Sequence, residues 1–422
     1  MGSEKKTNIL SKYIIESITG NKILHKEDMG NYNIKKFNEI IKQAKKSAFY
    51  AKKLKDINEI QKVEDIEKLP FTEEEDIREN YKKMLCISIG EVERIVHINT
   101  SGSTGESKTI FFSKEDLEYT INFFSYGLSQ MVTKDDRMLI LMPFKNENSI
   151  GDLVAKSMSR LGVITEKYGL IEDFDHAIKS LEVSDSIVGA PIQIQALARY
   201  SKFKKKNKKL KGVLTSSDYI SKKTVDEIED TFQCKVYNHY GLTETAYGGA
   251  VECDYHLGMH PRENDIYIEI IDPFTNKRLE DGEYGEIVLT TFNREAMPLI
   301  RYKTGDKGRF LKKKCVCNSS LKCLDYIGGR IQREKDRFNI YKTDEVIFEN
   351  KYIIDYKFEV VNKEVKLSIL TFWKERINKN KIEKIIKESF NIDDLNISVS
   401  VLSLNEINYL EFHNGKRKIY GI

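Results

Sequence analysis

The sequence lacks the features that mark membrane, secreted and fibrous proteins. No apolar run reaches the roughly 18 residues that a membrane-spanning helix needs. The segment from Met1 to Lys22 is polar and charged, without the apolar stretch of a secretory signal. Six cysteines in 422 residues do not make a disulfide scaffold, and 69 Lys and Arg against 65 Asp and Glu leave a formal net charge of only +4. We therefore expect a cytoplasmic protein with no global attraction to nucleic acid or to a membrane.

The length of 422 residues suggests two or three domains, at roughly 150 residues per domain. From Ile95 to about Ile300, short β-branched runs alternate with helical stretches, as in the βαβ units of a parallel sheet. After Asp265 the pattern changes, because Ile266–Ile271 and Glu286–Thr291 alternate with a period of two residues. This alternation indicates a small antiparallel, barrel-like part.

The last part of the chain has a third pattern. A hairpin, a helix near Lys379–Phe390 and one further strand are predicted between residues 356 and 404, and Gly328-Gly329 precedes them as a joint. We predict an α/β protein. Its large N-terminal domain, residues 1–328, contains the parallel βαβ sheets and the barrel-like part, and a small, mobile α+β cap domain follows at residues 329–422.

One stretch, from Lys202 to Lys211, has seven lysines in ten residues. Such a run can bind nucleic acid, but this one contains a single aromatic residue, Phe203, and no arginine. It also falls between a predicted helix and a predicted strand. We interpret it as a solvated connecting segment.

The segment from Thr100 to Lys108, with the sequence TSGSTGESK, has the composition of a phosphate-binding loop. Its two glycines let the backbone approach a polyanion closely, while five hydroxyl groups and one lysine supply hydrogen-bond donors. Residues 102–109 nearly match the P-loop pattern, but Ser107 stands where the second glycine must be. A P-loop also opens a helix at once, whereas Thr109–Phe112 continues as a β-branched, aromatic strand. We therefore expect a triphosphate-binding loop between two strands.

This loop resembles the TSGSTG-x-x-K phosphate loop of the acyl- and aryl-CoA synthetase superfamily of adenylate-forming enzymes. Four other segments resemble further sequence motifs of that superfamily and occur in the same order. They are Tyr240–Glu244 (YGLTE), Tyr302–Asp306 (YKTGD), Gly329-Arg330 at the hinge and Gly415-Lys416 near the end. Within the superfamily the chain is most similar to the branch of phenylacetate-CoA ligases and coenzyme F390 synthetases. Gly285–Thr291 (GEIVLTT) is one of the segments that carry this similarity.

The resemblance implies a reaction in two steps. A substrate carboxylate attacks the α-phosphorus of ATP, which releases pyrophosphate and leaves an acyl-adenylate, and a thiol then displaces AMP. The implied partners are ATP with Mg²⁺, a small-molecule carboxylic acid of aryl or modest acyl type, and a thiol, usually that of coenzyme A. The first step brings two anions together, so it needs charge neutralisation more than acid–base groups. A homodimer is also among the expectations.

Carried over residue by residue, the resemblance implies roles for individual side chains. The phosphate loop holds the β- and γ-phosphates of ATP through Ser101, Gly102, Ser103, Thr104, Gly105 and Lys108. Thr243 contacts the α-phosphate, and Glu244 holds Mg²⁺, a hard cation that suits a carboxylate and phosphate oxygens. Asp306 accepts hydrogen bonds from both ribose hydroxyls. The adenine is bordered by Ser216, Asn238, His239, Tyr240 and Gly241, and Arg330 marks the hinge.

A lysine near the C-terminus of the superfamily binds carboxylate and phosphate oxygens during adenylation. Lys416 in the sequence HNGKRK matches this lysine, and Lys418 is the alternative. The interpretation without a function is that these residues form a frayed basic tail. The superfamily often has an acidic residue two positions after its hinge Gly-Arg, whereas Gln332 stands there in this chain. The position of the pivot therefore stays open.

Three of the six cysteines fall within nine residues, from Cys315 to Cys323. The neighbouring lysines, asparagine and serines indicate a polar loop, and two thiols one residue apart suit a soft metal in a reducing compartment. The resembling branch shares an upstream Glu-Cys…His and this Cys-x-Cys pattern. We predict a structural zinc site, with no open coordination position, and unpaired thiols as the alternative. Its ligands are Cys253, His260, Cys315 and Cys317.

The leading functional hypothesis is an ATP-dependent acyl- or aryl-CoA ligase. One rival is adenylation followed by transfer to a carrier-protein thiol or to an amine, as in the F390-type relatives. The other is a non-catalytic nucleotide-binding module, which the poorly matched C-terminal part suggests.

Overall fold

The structure is a computed structural model, and it describes residues 8–21, 23–98, 107–317, 319–331, 338–362, 364–412 and 419–420. The chain divides into two compact units. The first unit contains Met1–Gln130, Lys156–Leu161 and Tyr237–Ile331, and the second contains Met131–Ala155, Gly162–Val236 and Gln332–Ile422. The predicted boundary after residue 328 lies close to the last of these transitions, and it stays a prediction.

The described residues form α-helices α1 (Ile9–Thr19), α2 (Lys26–Ala44), α3 (Ala48–Lys53), α4 (Glu74–Met84), α5 (Lys114–Leu128), α6 (Ile150–Arg160), α7 (Phe174–Val183), α8 (Pro191–Phe203), α9 (Lys222–Phe232), α10 (Ile340–Ile347), α11 (Lys379–Phe390) and α12 (Tyr409–Phe412). They form strands β1 (Val92–Ile98), β2 (Lys108–Ser113), β3 (Arg137–Leu141), β4 (Ile164–Lys167), β5 (Ser186–Gly189), β6 (Gly212–Thr215), β7 (Lys235–Tyr240), β8 (Ala250–Glu252), β9 (Met259–Pro261), β10 (Ile266–Ile271), β11 (Gly285–Thr291), β12 (Tyr302–Gly308), β13 (Ile353–Val361), β14 (Glu364–Thr371), β15 (Asn396–Ser403) and β16 (Ile419–Tyr420).

The first unit combines helices α1–α5 with antiparallel strands. β1 pairs with β2, and β8 lies between β7 and β9, with antiparallel pairing throughout. β10, β11 and β12 form a three-stranded antiparallel sheet, in which Ile266 stands opposite Thr291. This sheet confirms the antiparallel part that the period-two pattern predicts after Asp265.

The turn from β2 into α5 shows how the sequence sets an element boundary in the first unit. Ser113 ends the strand and caps the helix, because its hydroxyl accepts the Asp116 backbone N–H at 3.1 Å. The Asp116 carboxylate accepts the Ser113 backbone N–H at 2.9 Å in return. This reciprocal capping box satisfies two N–H groups that the first turn of a helix would otherwise leave unpaired.

The second unit contains the parallel sheet that the βαβ pattern predicts. Its strand order is β4-β3-β5-β6, and each neighbouring pair is parallel. The sheet packs against α7, α8 and α9 because its strands are apolar on both faces, as a covered parallel sheet requires. Buried residues of these strands and helices include Leu139, Leu141, Ile187, Val213, Ile194, Leu197, Ile228 and Phe232.

A smaller α+β part of the second unit is formed by the C-terminal residues. Its sheet has the order β15-β14-β13-β16, with β13 and β14 antiparallel and the outer pairs parallel. α11 spans Lys379–Phe390, as the sequence predicts, and buries Ile382, Ile386 and Phe390. The predicted hairpin, helix and strand of this part are therefore confirmed.

The lysine-rich stretch connects α8 to β6, as a connecting segment should. Four of its seven lysines form ion pairs with carboxylates of the same unit: Lys202 with Asp230, Lys204 with Asp175, Lys206 with Glu182 and Lys211 with Asp136. Much of the positive charge of the stretch is thus compensated locally, which supports the interpretation as a solvated connector. Over the part of the chain that the structure describes, we find no helix with the length and apolar character that a membrane crossing requires.

Candidate active site

The predicted phosphate loop joins β1 to β2. The two strands are antiparallel neighbours, with Ile98 opposite Lys108 at the loop end, and α5 begins only after Ser113. The predicted strand–loop–strand arrangement is therefore confirmed, and it differs from the strand–helix arrangement of a P-loop. The loop residues Ser101, Gly102, Ser103, Thr104 and Gly105 lie outside the described residues, so their roles stay predictions.

Lys108, the first residue of β2, is buried together with Glu244, and each is 6% exposed. The Lys108 Nζ atom forms an ion pair and a hydrogen bond with Oε1 of Glu244. It also donates to the Tyr302 hydroxyl at 3.2 Å, while that hydroxyl donates to the same Oε1 of Glu244 at 2.9 Å. Folding thus brings the predicted phosphate-binding lysine and the predicted Mg²⁺-binding carboxylate into direct contact.

The electrostatics of this group follow from its burial and its charge pair. Burial alone would raise the pKa of the Glu244 carboxyl, but the charge and hydrogen bond of Lys108 outweigh it and hold that pKa below its ordinary value. Burial also raises the pKa of the Tyr302 phenol well above 10. At neutral pH the site therefore presents a carboxylate beside a neutral hydroxyl.

Glu244 lies on a tight turn that two buried arginines hold in shape. Thr243–Thr245 forms one turn of 3₁₀-helix. Arg294 donates to the Glu244 carbonyl oxygen at 3.2 Å, and Arg262 donates to the Thr245 carbonyl oxygen at 2.6 Å. Because both acceptors are backbone atoms, these arginines fix the path of the turn and leave the Glu244 side chain to Lys108 and Tyr302.

The backbone on both sides of this turn is constrained. A Cβ atom on Gly241 would lie 1.9 Å from the Tyr247 carbonyl oxygen, so only glycine fits there. After the turn, Ala246 and Tyr247 have φ angles of 52° and 71°, in the left-handed region that side-chain-bearing residues rarely adopt. Strained residues of this kind concentrate at functional sites, and this pair directly follows the turn that carries Glu244.

A second carboxylate group lies on β12. The hydroxyl of Tyr240 donates to Oδ2 of Asp306 at 2.9 Å, and Nε of Arg330 lies 3.0 Å from Oδ1. Arg330 also donates to the Thr304 carbonyl oxygen at 2.5 Å, and its side chain is 43% exposed. The predicted ribose-binding carboxylate, one predicted adenine-border residue and the predicted hinge arginine are thus in contact.

Two further predicted adenine-border residues of the first unit, Asn238 and His239, lie on β7. Glu252, on the neighbouring strand β8, accepts from the backbone N–H of Asn238 at 2.6 Å and from its side-chain amide at 2.9 Å. The His239 ring packs near Phe123 and Phe124, with ring centroids 5.9 and 5.6 Å away. Burial, with a smaller effect of Arg262, lowers the pKa of His239 to about 3, so its imidazole is neutral.

Two predicted residues cannot be placed with this group. Ser216 follows β6 in the second unit, where its backbone N–H donates to the Gly189 carbonyl oxygen at 3.0 Å. Lys416 and its alternative Lys418 lie outside the described residues. Their nucleotide- and substrate-binding roles therefore stay predictions.

The predicted metal ligands come together in the first unit. The ligand atoms of Cys253, His260, Cys315 and Cys317 all lie within 4.8 Å of one another, and all four residues are buried. The Cys253 and Cys315 sulfurs are 3.6 Å apart, and the Cys317 sulfur is 3.3 Å from Nε2 of His260. A tetrahedral zinc site with bonds of about 2.1–2.3 Å places its ligand atoms roughly 3.4–3.8 Å apart, so the donor set fits this metal.

The surroundings of His260 also suit a metal ligand. Its Nδ1 atom lies 3.1 Å from the Lys322 carbonyl oxygen, to which it can only donate. That hydrogen bond occupies Nδ1 and leaves Nε2, on the cysteine side, as the atom that would coordinate a metal. Cys323 packs in the same cluster but does not belong to the four-ligand group.

Three residues of the site were not singled out from the sequence: Tyr302, Arg262 and Arg294. Tyr302 begins the YKTGD motif, and this position was the one available signal. Nothing in the sequence indicates that the two arginines contact the backbone of the Glu244 turn, because they follow it by 17 and 50 residues. Only the folded chain shows these contacts.

The α/β fold, the loop between β1 and β2 and the grouped side chains define the architecture of an adenylate-forming enzyme. The family model of the AMP-binding enzymes matches residues 35–293, and the chain belongs to this family.

Two curated relatives are phenylacetate-coenzyme A ligases. The protein of Thermus thermophilus is 26% identical over 287 residues, which cover 64% of this chain and 61% of the relative. The protein of Pseudomonas putida is 29% identical over 259 residues, which cover 59% of this chain and 58% of the relative. The chain thus spans about six-tenths of the length of these relatives.

Among solved structures, the chain is similar to a 2-hydroxyisobutyryl-CoA ligase in the postadenylation state. The TM-score is 0.77 at 17% sequence identity, over 96% of this chain and 91% of that one. At this identity the likeness shows the fold alone, and it confirms the predicted α/β fold class.

Proposed function

We propose that this chain activates a carboxylic acid with ATP, forming an acyl-adenylate with release of pyrophosphate, and then transfers the acyl group to a thiol, in first place that of coenzyme A. Membership in the AMP-binding enzymes and similarity to phenylacetate-coenzyme A ligases support this proposal. We place the reaction in the cytoplasm, where ATP and coenzyme A are available. All six cysteines are unpaired, as a reducing compartment favours.

The observation that carries the proposal is the buried contact of Lys108, Glu244 and Tyr302 at the end of the predicted phosphate loop. An ammonium group at this place neutralises phosphate oxygens, and a carboxylate beside it binds the cation that accompanies a nucleotide triphosphate. Mg²⁺ bound to Glu244 would add positive charge where pyrophosphate leaves. The site therefore supplies charge neutralisation, which attack of one anion on another requires.

Other side chains orient the nucleotide in this proposal. Asp306 accepts the ribose hydroxyls with two carboxylate oxygens, which Tyr240 and Arg330 hold in place. Asn238, which Glu252 fixes by two hydrogen bonds, borders the adenine. Thr243, on the turn that Arg294 and Arg262 hold, contacts the α-phosphate. Lys416 binds the carboxylate of the acid and the α-phosphate in the first step.

The acid is proposed to be aryl or a modest acyl compound. The segment after the Glu244 turn forms part of the proposed pocket wall, and a Cβ atom on Gly248 would lie 2.8 Å from a ring atom of Phe123. Gly248 and Phe123 are both buried, so a small residue and an aromatic ring pack together behind this part of the proposed wall. Apolar packing of this kind suits a flat apolar acid better than a charged one.

We further propose that the cluster of Cys253, His260, Cys315 and Cys317 holds a structural zinc ion. Four nitrogen and sulfur ligands without an open position provide stability rather than catalysis. The ion would join the loop after β8 and strand β9 to the loop that follows β12. It would therefore hold together two segments that are far apart in the sequence, since Cys253 and Cys315 are 62 residues apart.

The proposed function is tested with a panel of aryl and short-chain carboxylic acids. We expect acid-dependent exchange of labelled pyrophosphate into ATP, and thioester formation when coenzyme A is added. Lys416→Ala should reduce the exchange by at least roughly a hundredfold, since a charge-assisted contact to the reacting anions is lost. Lys418→Ala is the matched control and should retain the exchange.

Three results would redirect the proposal. Exchange without thioester formation would point to a carrier-protein thiol or an amine as the acceptor. Equal activity of Lys416→Ala and wild type would contradict the role of Lys416. Absence of exchange with every acid would favour a non-catalytic nucleotide-binding module.

A further inference from the structure

Tyr302 contacts both charged side chains of the proposed site through one oxygen atom. Its hydroxyl donates to Oε1 of Glu244 at 2.9 Å and accepts from Nζ of Lys108 at 3.2 Å. The side chain is 1% exposed, and Lys108 Nζ lies 5.8 Å from the centre of its ring. The phenol is therefore a third member of the charged group, with no charge of its own.

The ion pair between Lys108 and Glu244 conflicts with the proposed function of both residues. Each is buried, and a buried charge without a partner is costly, so the two neutralise each other in this structure. In the proposed reaction Lys108 pairs with phosphate oxygens and Glu244 with Mg²⁺. Binding of Mg²⁺ and ATP must therefore open the ion pair and give each residue a new partner.

Lys108 and Tyr302 differ in how easily they can move during this exchange. Lys108 carries its charge on a flexible four-carbon chain. Tyr302 sits on β12, where it stands opposite Leu289 of β11, and the next residue, Lys303, donates its backbone N–H to the Thr72 carbonyl oxygen at 3.0 Å. Its ring is buried, and its hydroxyl is hydrogen-bonded to the Glu244 carboxylate. The phenol can therefore keep its hydrogen bond to Glu244 while Lys108 turns away.

We propose that Tyr302 is a positioning residue for metal–nucleotide binding: its hydroxyl holds one oxygen of the Glu244 carboxylate and leaves the other to Mg²⁺ when Lys108 exchanges Glu244 for phosphate. The inference rests on the proposed function. A neutral donor suits this task, because it orients the carboxylate without competing with the cation for its charge.

The test is the Mg²⁺ dependence of ATP binding to Tyr302→Phe, measured by calorimetry in titrations at several Mg²⁺ concentrations. Phenylalanine fills the same volume and removes only the hydroxyl. The Mg²⁺ concentration for half-maximal ATP affinity should rise roughly tenfold, the effect of one lost hydrogen bond to a charged group. At saturating Mg²⁺ the ATP affinity of the variant should approach that of the wild type.

Tyr50→Phe is the matched control. Tyr50 is also 1% exposed and belongs to the same unit, and its hydroxyl makes two hydrogen bonds, with Thr72 at 2.8 Å and with the Ile300 backbone N–H at 3.2 Å. Its loss affects stability in the same way, without a contact to Lys108 or Glu244. Tyr50→Phe should therefore keep the wild-type Mg²⁺ dependence, and unfolding midpoints of both variants report whether they fold.

Two outcomes would overturn the inference about Tyr302 without affecting the proposed function. One is a Tyr302→Phe protein with the wild-type Mg²⁺ dependence, and the other is an equal shift in Tyr50→Phe. If the wild-type protein itself binds no ATP in the presence of Mg²⁺, the proposed function fails and the inference fails with it. If the wild type binds ATP with Mg²⁺ and the Mg²⁺ dependence of Tyr302→Phe is unchanged, only the inference fails and the proposed function stands.

Discussion

His239 illustrates how a single side chain depends on its surroundings. Its ring lies beside Phe123 and Phe124, and burial lowers its pKa from 6.5 to about 3. The unfolded chain therefore binds a proton between these two pH values that the folded chain does not bind. By linkage, the contribution of His239 to stability is complete above pH 6.5 and is lost as the pH falls toward 3.

This linkage predicts a pH-dependent difference between the wild type and His239→Gln. Between pH 7 and pH 5 the wild type should lose about 2 kcal/mol of unfolding free energy through this residue. Glutamine does not titrate, so the variant should lose correspondingly less over the same interval. Urea unfolding of both proteins at the two pH values measures the difference, and equal losses would contradict the buried, neutral imidazole.

Motifs in the sequence identify residues of the site but not their mutual contacts. Lys108, Glu244 and Asp306 each belong to a motif and were predicted as nucleotide-site residues. That Lys108 pairs with Glu244 could not be predicted, because 136 residues separate them and the resemblance assigns them to different ligands. The contact is a property of the folded chain.

At the scale of elements, a buried arginine on α8 joins two parts of the second unit. Arg199, 2% exposed, forms an ion pair with Glu227 of α9, with N···O of 2.8 Å. It also donates to the carbonyl oxygens of Phe348 at 2.9 Å and of Ile353. These carbonyls lie just after α10 and at the start of β13, so one guanidinium group satisfies backbone acceptors between those elements.

Arg199→Met should therefore destabilise the protein by about 3–5 kcal/mol, because it removes the charge partner of the Glu227 carboxylate and the guanidinium group that donates to the two carbonyl oxygens. Lys202→Met is the control on the same helix. Lys202 also forms an ion pair with α9, through Asp230, but the two side chains are 47% and 72% exposed. The control should change stability by less than about 1 kcal/mol, and chemical denaturation compares the two. Similar effects of both variants would contradict this account.

The proposed zinc site joins strand β9 to two loops, and its ligands can be separated from a neighbouring thiol. Cys315→Ser should lower the zinc content of the purified protein from one ion per chain to a small fraction, and lower the midpoint of thermal unfolding. Cys323→Ser should keep the metal, because Cys323 packs in the cluster outside the ligand group. Mass spectrometry of the metal measures both, and a wild type without zinc would contradict the proposal.

Elements whose signal is local were predicted well. α11 has the predicted bounds because its apolar residues recur on one helical face, and β10 and β11 form an antiparallel pair at the two segments that the sequence predicts. The contacts of Arg199 could not be predicted, because its partners beyond Glu227 are backbone atoms about 150 residues away. Every residue has a backbone carbonyl group, so the residue type does not indicate which carbonyl accepts a hydrogen bond.

At the scale of the whole molecule, the order of motifs predicted the family, and the fold agrees with it. Several motifs in one order constrain the chain far more than any single one does. The four residues of the proposed zinc site were also predicted together, because two thiols one residue apart suit a soft metal and the resembling branch shares the Glu-Cys…His and Cys-x-Cys pattern. The assignment of residues 1–328 and 329–422 to separate domains has no such signature beyond Gly328-Gly329.

The central claim is that ATP is cleaved between its α- and β-phosphates by a carboxylic acid. Phosphorus NMR of the wild-type protein with ATP, Mg²⁺, an accepted acid and coenzyme A tests it most directly. We expect one AMP and one pyrophosphate for each acid converted to a thioester, and no turnover without the acid. Formation of ADP and phosphate, or nucleotide cleavage independent of the acid, would contradict it.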